Sequence, residues 1–212
     1  MERRMLGDNV EINCHSSICI DGKYYFDPFK VTEKKNDAEI VFITHSHFDH
    51  LEVSSIKNVI KNDTVIVCTK DSEEILKKEI ENEILIVKPN EKGEVKEIEF
   101  ETFPAYNIGH HHFKELGFVG YTIKLNGIRF TVCGDTDATE ELKKIETDVL
   151  LLPIGGTFTM NPQEAGELVN IVKPKLAIPT HYGCISGTLG KEAENMFQKV
   201  VDSEIPVKIL IK

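Results

Sequence analysis

The chain has 212 residues, of which 41% are hydrophobic and 28% are charged, and its formal net charge at pH 7 is −10. This composition is that of a globular protein and excludes a disordered chain or a coiled coil, while the acidic balance argues against a general attraction to nucleic-acid phosphates. No apolar stretch is long enough to cross a bilayer, and the N-terminal residues lack the apolar core of a secretion signal. We therefore expect a cytoplasmic protein.

The length and the even spread of apolar segments predict one domain over residues 1–212. Five cysteines are odd in number and include no Cys-x-x-Cys pair, which predicts reduced, buried thiols. The sequence gives no indication of the oligomeric state.

Short β-branched runs predict the strands, and Gly22 and Asn126-Gly127 predict hairpin turns between them. The predicted strands are Val10 to Cys14, Ser17 to Ile20, Lys23 to Phe26, Ile40 to Thr44, Thr64 to Cys68, Ile84 to Val87, Glu97 to Phe103, Phe118 to Leu125, Ile128 to Cys133, Val149 to Leu152, Leu176 to Pro179 and Val207 to Ile211.

Amphipathic runs predict the helices, with Asp71 and Ser72 as N-caps of one helix and Pro162 in the first turn of another. The predicted helices are Val53 to Lys61, Asp71 to Glu79, Thr139 to Lys144, Pro162 to Val172 and Lys191 to Val201. Hairpins followed by strand–helix alternation occur in each half of the chain. This order predicts an α/β (α+β) fold, a four-layer αββα sandwich of two mixed β-sheets flanked by helices.

The segment His45-Ser46-His47-Phe48-Asp49-His50 places three imidazoles and a carboxylate directly after a predicted strand. Imidazole nitrogens suit zinc, iron and similar divalent metals, and a carboxylate extends the choice towards harder ions. Four such groups rarely share one short turn for structural reasons alone. The segment therefore predicts a metal-binding loop at the end of a strand.

Three later segments each offer a further ligand after a strand-like run: His110-His111-His112, Asp135 and His181. Each has an alternative interpretation. The three adjacent histidines can form a solvated loop, Asp135 can cap a turn, and His181 can be a structural residue. Their order behind the first cluster favours a shared metal site.

This order of motifs resembles the metallo-β-lactamase fold superfamily, whose marker is His-x-His-x-Asp-His followed by a His, a Gly-Asp pair and a final His. Several further segments are similar to small metal-dependent hydrolases related to ascorbate-6-phosphate lactonase. They are His15-Ser16-Ser17, Asp27-Pro28-Phe29, Pro104-Ala105-Tyr106-Asn107, Val119-Gly120-Tyr121, Gly134-Asp135-Thr136-Asp137 and Pro153-Ile154-Gly155-Gly156.

The resemblance implies two divalent metal ions, with zinc as the first choice and manganese or iron as alternatives. It assigns one metal to His45, His47 and His112, the other to Asp49, His50 and His181, and a bridging position to Asp135. Phe113 replaces the proline that usually follows the family's later histidine, so His110 remains an alternative to His112.

Two such cations can share a water, lower its pKa towards about 7 and present hydroxide to a carbonyl or phosphorus. Asp49 is the predicted catalytic residue, because its second oxygen can orient the nucleophile or accept a proton. The expected partner is a small, anionic substrate, either a lactone or a phosphodiester. His15, Asn107 and Thr159 are candidate substrate-binding residues, each with a structural alternative, and Cys133 is predicted to be a core thiol.

Two other functions remain open at this point. An RNA-processing or other nuclease phosphodiesterase shares the ligand set, but the net charge of −10 and the lack of a long basic arm disfavour it. A non-catalytic or redox di-iron module is the alternative of a different class. Absence of an export signal disfavours a secreted β-lactamase.

Overall fold

The computed structural model describes residues 5–109 and 111–211. Within these ranges the strands are β1 Val10–Ile12, β2 Ile18–Ile20, β3 Tyr24–Phe26, β4 Ala38–Phe42, β5 Ile60–Cys68, β6 Glu83–Ile86, β7 Lys92–Val95, β8 Ile98–Pro104, β9 Val119–Leu125, β10 Ile128–Val132, β11 Val149–Pro153 and β12 Leu176–Thr180. The α-helices are α1 Val53–Val59, α2 Lys70–Leu76, α3 Pro162–Val172 and α4 Glu192–Val200.

The strands form two six-stranded mixed sheets with the orders β1-β2-β3-β4-β5-β6 and β12-β11-β10-β9-β8-β7. In each sheet an antiparallel meander continues into two or more parallel pairings, such as β4 with β5 and β10 with β11. The hairpin turn predicted at Asn126-Gly127 joins β9 to β10, and both residues have the positive φ that a two-residue hairpin favours.

Alternating side chains of the strands separate the core into layers. Phe42, Tyr121 and Phe130 belong to the cluster packed between the two sheets. Val41 of β4 points the other way, into a cluster with the helical residue Ile56. A third cluster packs β11 and β12 against α3 and α4. The predicted αββα sandwich is therefore confirmed.

Several local predictions differ from the structure. Val207 to Ile211 forms no strand, since only Val207 makes an isolated bridge to Ala177. Thr139 to Lys144 contains a single 3-10 turn, Leu142–Lys144, instead of a helix. Strand β7 was missed, because Lys-Gly-Glu-Val has one large apolar residue and no clear alternation.

The predicted start of α3 agrees with the structure, whereas the predicted start of α2 does not. Helix α3 begins with Pro162 as predicted, and Asn161 caps it by accepting from the backbone N–H groups of Gln163 and Glu164. Helix α2 begins one residue early, with Thr69 at the N-cap position, so Asp71 and Ser72 lie inside its first turn. None of the described helices combines the length and apolar character that a membrane span requires.

Candidate metal centre

The predicted ligands lie at one edge of the sandwich, in loops that follow strands. His45 to His50 follow β4, and a tight turn closes them, with His50 N–H donating to the His47 carbonyl over 3.0 Å. Asp135 follows β10 and His181 follows β12. His112 lies in the loop after β8, where its N–H donates to the side-chain oxygen of Asn107 over 3.2 Å.

The side chains form two groups of four whose ligand atoms lie within 4.8 Å of one another. The first group consists of His45, His47, His112 and Asp135, and the second consists of His15, Asp49, His50 and His181. The structure thus brings together all seven predicted ligands and adds His15. His110, the alternative to His112, lies outside the described residues.

Asp135 lies between the two groups. Its Oδ1 is 2.9 Å from His181 Nε2 and 3.1 Å from His50 Nε2, whereas its Oδ2 is 3.9 Å from His45 Nε2. Each oxygen therefore faces a different group. This is the placement that a bridging carboxylate requires.

No group outside the cluster bonds the converging atoms among the described residues, and their short contacts are with one another. These atoms are Nε2 of His45, His50 and His181 and Oδ1 of Asp135, all buried. Buried polar atoms without a partner are rare because their desolvation is not compensated. Buried imidazole nitrogens and a carboxylate oxygen that converge on one another, with no other partner, fit divalent cations, so the donor set present here is suited to metal.

Asp27, which the sequence analysis named only within a segment similar to the hydrolase group, is a residue of the site whose role was not predicted. It is fully buried, and its Oδ2 accepts from His50 Nδ1 over 2.7 Å. The same carboxylate accepts from the backbone N–H and the hydroxyl of Thr44, at 2.8 and 2.7 Å. With Nδ1 donating to Asp27, His50 presents Nε2 to the centre, as histidine ligands in metal proteins usually do.

Thr44 extends this arrangement to His45. Since its hydroxyl hydrogen goes to Asp27, its oxygen accepts from His45 Nδ1 at 3.0 Å. His45 then also presents an unprotonated Nε2 to the centre. One buried carboxylate therefore sets the ring orientation of two candidate ligands.

The field at the centre favours positive charge. Burial by itself lowers the pKa of His50, but the carboxylates of Asp135 and Asp27 outweigh it and raise this pKa well above the ordinary value. Burial raises the pKa of Asp135, but His181 and His50 outweigh it and hold this pKa well below the usual range. The acidic groups thus stabilise a proton on His50, and a divalent cation satisfies the same field.

His15 occupies a buried position behind Asp49. Its Nε2 donates to Asp49 Oδ2 over 3.1 Å, and its ring lies 3.7 Å from that of His181, centroid to centroid. Burial lowers the pKa of His15 to about 4, so the ring is neutral near pH 7. Its place behind the carboxylate suits orientation of Asp49, or ligation, better than contact with a substrate.

Asn107 and Thr159, the other two candidate substrate-binding residues, do not line the cavity over the centre. Asn107 is buried, and its amide donates to Asp137 Oδ1 and to the Phe158 carbonyl at 2.8 and 2.9 Å. Thr159 is buried beside the cap of α3. The structure thus gives both side chains a structural position. Cys133 is fully buried in the core, as predicted.

A cavity of about 400 Å³ opens over both groups. Its described lining consists of His47, Phe48, Asp49, His111, His112, Leu116, Asp135, Thr157, Phe158, His181, Ile185, Ser186, Gly187 and Thr188. Candidate ligands form its floor, and loop residues form its walls. A small molecule in this cavity would contact the centre directly.

Known proteins are similar to this chain over most of its length. A family model described as a beta-lactamase superfamily domain matches residues 13–181. The UPF0173 metal-dependent hydrolase of Pyrococcus furiosus is 29% identical over 213 residues, covering 92% of this chain and 93% of that protein. The UPF0173 metal-dependent hydrolase of Saccharolobus solfataricus is 32% identical over 185 residues, covering 84% and 79%.

Among solved structures, a Parabacteroides distasonis protein provisionally described as a metal-dependent hydrolase has a TM-score of 0.78. It is 25% identical, and the match covers 96% of this chain and 93% of that one. Since the family model, the relatives and the fold agree, the chain belongs to the metallo-β-lactamase superfamily and is a metal-dependent hydrolase.

Proposed function

We propose that this hydrolase acts on a small molecule at a centre of two divalent cations. The observation that carries the proposal is the position of Asp135, whose two oxygens face two separate groups of candidate ligands. A single cation would leave one of these groups uncompensated.

In this proposal His45, His47 and His112 hold one cation, Asp49, His50 and His181 hold the other, and Asp135 contacts both. Such a donor set without cysteine fits zinc, with manganese and iron as alternatives. When bound, the cations lower the pKa of a water and polarise the oxygen of the bond under attack.

Asp49 is the proposed catalytic residue. Its Oδ2 accepts from His15 and lies 3.8 Å from Nε2 of both His50 and His181. The carboxylate also reaches the cavity floor. Burial raises the pKa of Asp49, but the hydrogen bond from His15 and the charge of His50 outweigh it, so the pKa is lowered and the group is ionised near neutral pH. It can therefore hold the attacking water and accept its proton.

The test combines elemental analysis with a screen of lactones, carboxylic esters, thioesters and phosphodiesters. We expect two metal equivalents in the wild type and hydrolysis of at least one substrate class. Asp49→Ala should stay folded and lose at least about a hundredfold in kcat, in the range of general-base effects. His181→Ala should lower the bound metal from two equivalents towards one.

Asp63→Ala is the matched control, since Asp63 is an exposed surface carboxylate paired with Lys96. It should retain both metals and wild-type turnover. Wild-type turnover in Asp49→Ala at saturating metal would remove Asp49 from the reaction. Two metal equivalents in His181→Ala would contradict its assignment as a ligand.

A further inference from the structure

The walls of the cavity are apolar at the mouth. Three of the lining residues, Phe48, Leu116 and Phe158, are 70%, 51% and 45% exposed. Ile108 and Phe113, in the same loop as Leu116, are also exposed. Large apolar side chains gathered in one exposed area generally mark a binding surface. Here Phe48, Leu116 and Phe158 line the entrance to the candidate metal centre.

Phe158 adopts an unfavourable backbone conformation at this mouth. Its φ is +60°, a region that bulky residues rarely occupy and that costs on the order of 1 kcal/mol or more. Asn107 accounts for its persistence, since the amide donates to the Phe158 carbonyl over 2.9 Å. The ring packs edge-on against His111, with centroids 4.2 Å apart. The fold therefore places this aromatic ring at the mouth against its local preference.

No lysine or arginine occurs among the described residues of the lining. Two lysines near the lining have other partners. Lys30 donates to the carbonyl of Cys184, the residue before Ile185, and Lys114 is paired with Glu141. The polar wall residues are His111, Thr157, Ser186 and Thr188. A substrate whose remote end carried a phosphate or carboxylate against Phe48, Leu116 and Phe158 would lose hydration without gaining a lysine or arginine partner. Burying a charge in this way is strongly unfavourable.

We propose that the substrate is an uncharged ester or lactone whose apolar arm lies against Phe48, Leu116 and Phe158. The inference rests on the proposed function, because it assigns the hydrolysed carbonyl to the metal centre and the arm to the walls. It replaces the anionic substrate expected from the sequence. The sequence predicted the charged ligands on the cavity floor, but it did not predict which loop residues form the walls.

The experiment compares three p-nitrophenyl esters on the metal-loaded enzyme: acetate, octanoate and the monoester of suberate, which matches octanoate in length but ends in a carboxylate. We expect kcat/KM to rise from acetate to octanoate by up to about fourfold for each methylene that the walls bury. The suberate ester should be at least about tenfold poorer than the octanoate ester.

Three variants test whether Leu116 causes the dependence of kcat/KM on the length and charge of the acyl chain. Leu116→Ala should flatten the dependence on chain length, and Leu116→Arg should raise activity on the suberate ester relative to the octanoate ester. Ile171→Ala is the matched control, because Ile171 is 54% exposed on α3 and does not line the cavity. It should behave as the wild type.

A binding measurement separates this inference from the proposed function. Calorimetry with octanamide, which is neutral and resists hydrolysis, should give tighter binding to the wild type and Ile171→Ala than to Leu116→Ala. Equal or better turnover of the suberate ester, or octanamide binding that does not depend on Leu116, would overturn the inference even if hydrolysis is confirmed. Turnover of thioesters or phosphodiesters but of no ester or lactone would overturn the inference alone, whereas absence of turnover on all four substrate classes with two metals bound would overturn the proposed function.

Discussion

Asp27 shows how a residue without direct contact to a proposed metal position can determine its ligands. The carboxylate is buried, accepts from His50 and is linked to His45 through the Thr44 hydroxyl. Without it, each imidazole could place its proton on either nitrogen. Loss of a hydrogen bond that orients a metal ligand typically weakens metal affinity by about 10- to 100-fold.

Asp27→Asn should therefore fold but bind divalent metal about 10- to 100-fold more weakly. The amide retains an oxygen acceptor but loses the charge that favours a donor at His50 Nδ1. Competition with a chromophoric chelator measures the affinity. Asp37→Asn is the control, since Asp37 is exposed in the loop before β4 and accepts from the Tyr25 hydroxyl. Equal affinity in the two variants would show that the charge of Asp27 does not act on the ligands.

Metal binding should also release a proton near neutral pH. The carboxylates of Asp135 and Asp27 outweigh the effect of burial and raise the pKa of His50, so the metal-free protein carries a proton on His50 that a cation must displace. The affinity for metal should then rise with pH until the pH exceeds the raised pKa of His50. Calorimetry in buffers with different ionisation enthalpies counts the released protons. A heat of binding that is the same in all buffers at pH 7 would contradict a protonated His50.

At the scale of elements, the pairing of strands explains why the role of Asp27 was missed and the ligands were not. Strands β3 and β4 are parallel with Phe26 opposite Phe42, so Asp27 lies beside the start of the ligand loop although it is 23 residues before His50. The metal motif is local in sequence and could be predicted, whereas this contact depends on register. An aspartate directly after a buried strand was the available signal.

Close packing between strand ends fixes the position of His181. Gly155, which follows β11, lies so near the His181 carbonyl that an added Cβ would overlap with it. Gly155→Ala should thus displace His181, cost about 1–3 kcal/mol of stability and weaken retention of one metal equivalent. Metal content after dialysis and thermal unfolding report both effects.

Gly190→Ala provides the comparison for this substitution. Its added Cβ would meet only the terminal carboxylate group of the Glu192 side chain, which can move. This variant should keep both metals and nearly wild-type stability. Equal metal retention in the two glycine variants would contradict the proposed link between Gly155 and His181.

For the whole molecule, the candidate centre joins the two sheets. His15 and His45 to His50 come from the half that forms the first sheet, whereas His112, Asp135 and His181 come from the second. Segments from both halves of the chain also meet away from the centre, since Lys208 pairs with Asp8 over 2.8 Å. We propose that residues 1–212 form one cooperative domain, which the sequence predicted from length and apolar spacing alone.

Removal of metal should accordingly destabilise both sheets together. A ligand present at 100 times its Kd stabilises the folded state by about 2.7 kcal/mol, which for a chain of this size corresponds to about 5–10 °C in Tm. Chelation should lower a single calorimetric transition by this amount for each tightly bound cation, and added metal should restore it. Hydrogen exchange should show peptides of β4 and β12 losing protection together, because ligands after both strands lose the same cations. Two separate transitions, or lost protection in one sheet only, would contradict both the single domain and a centre shared between the sheets.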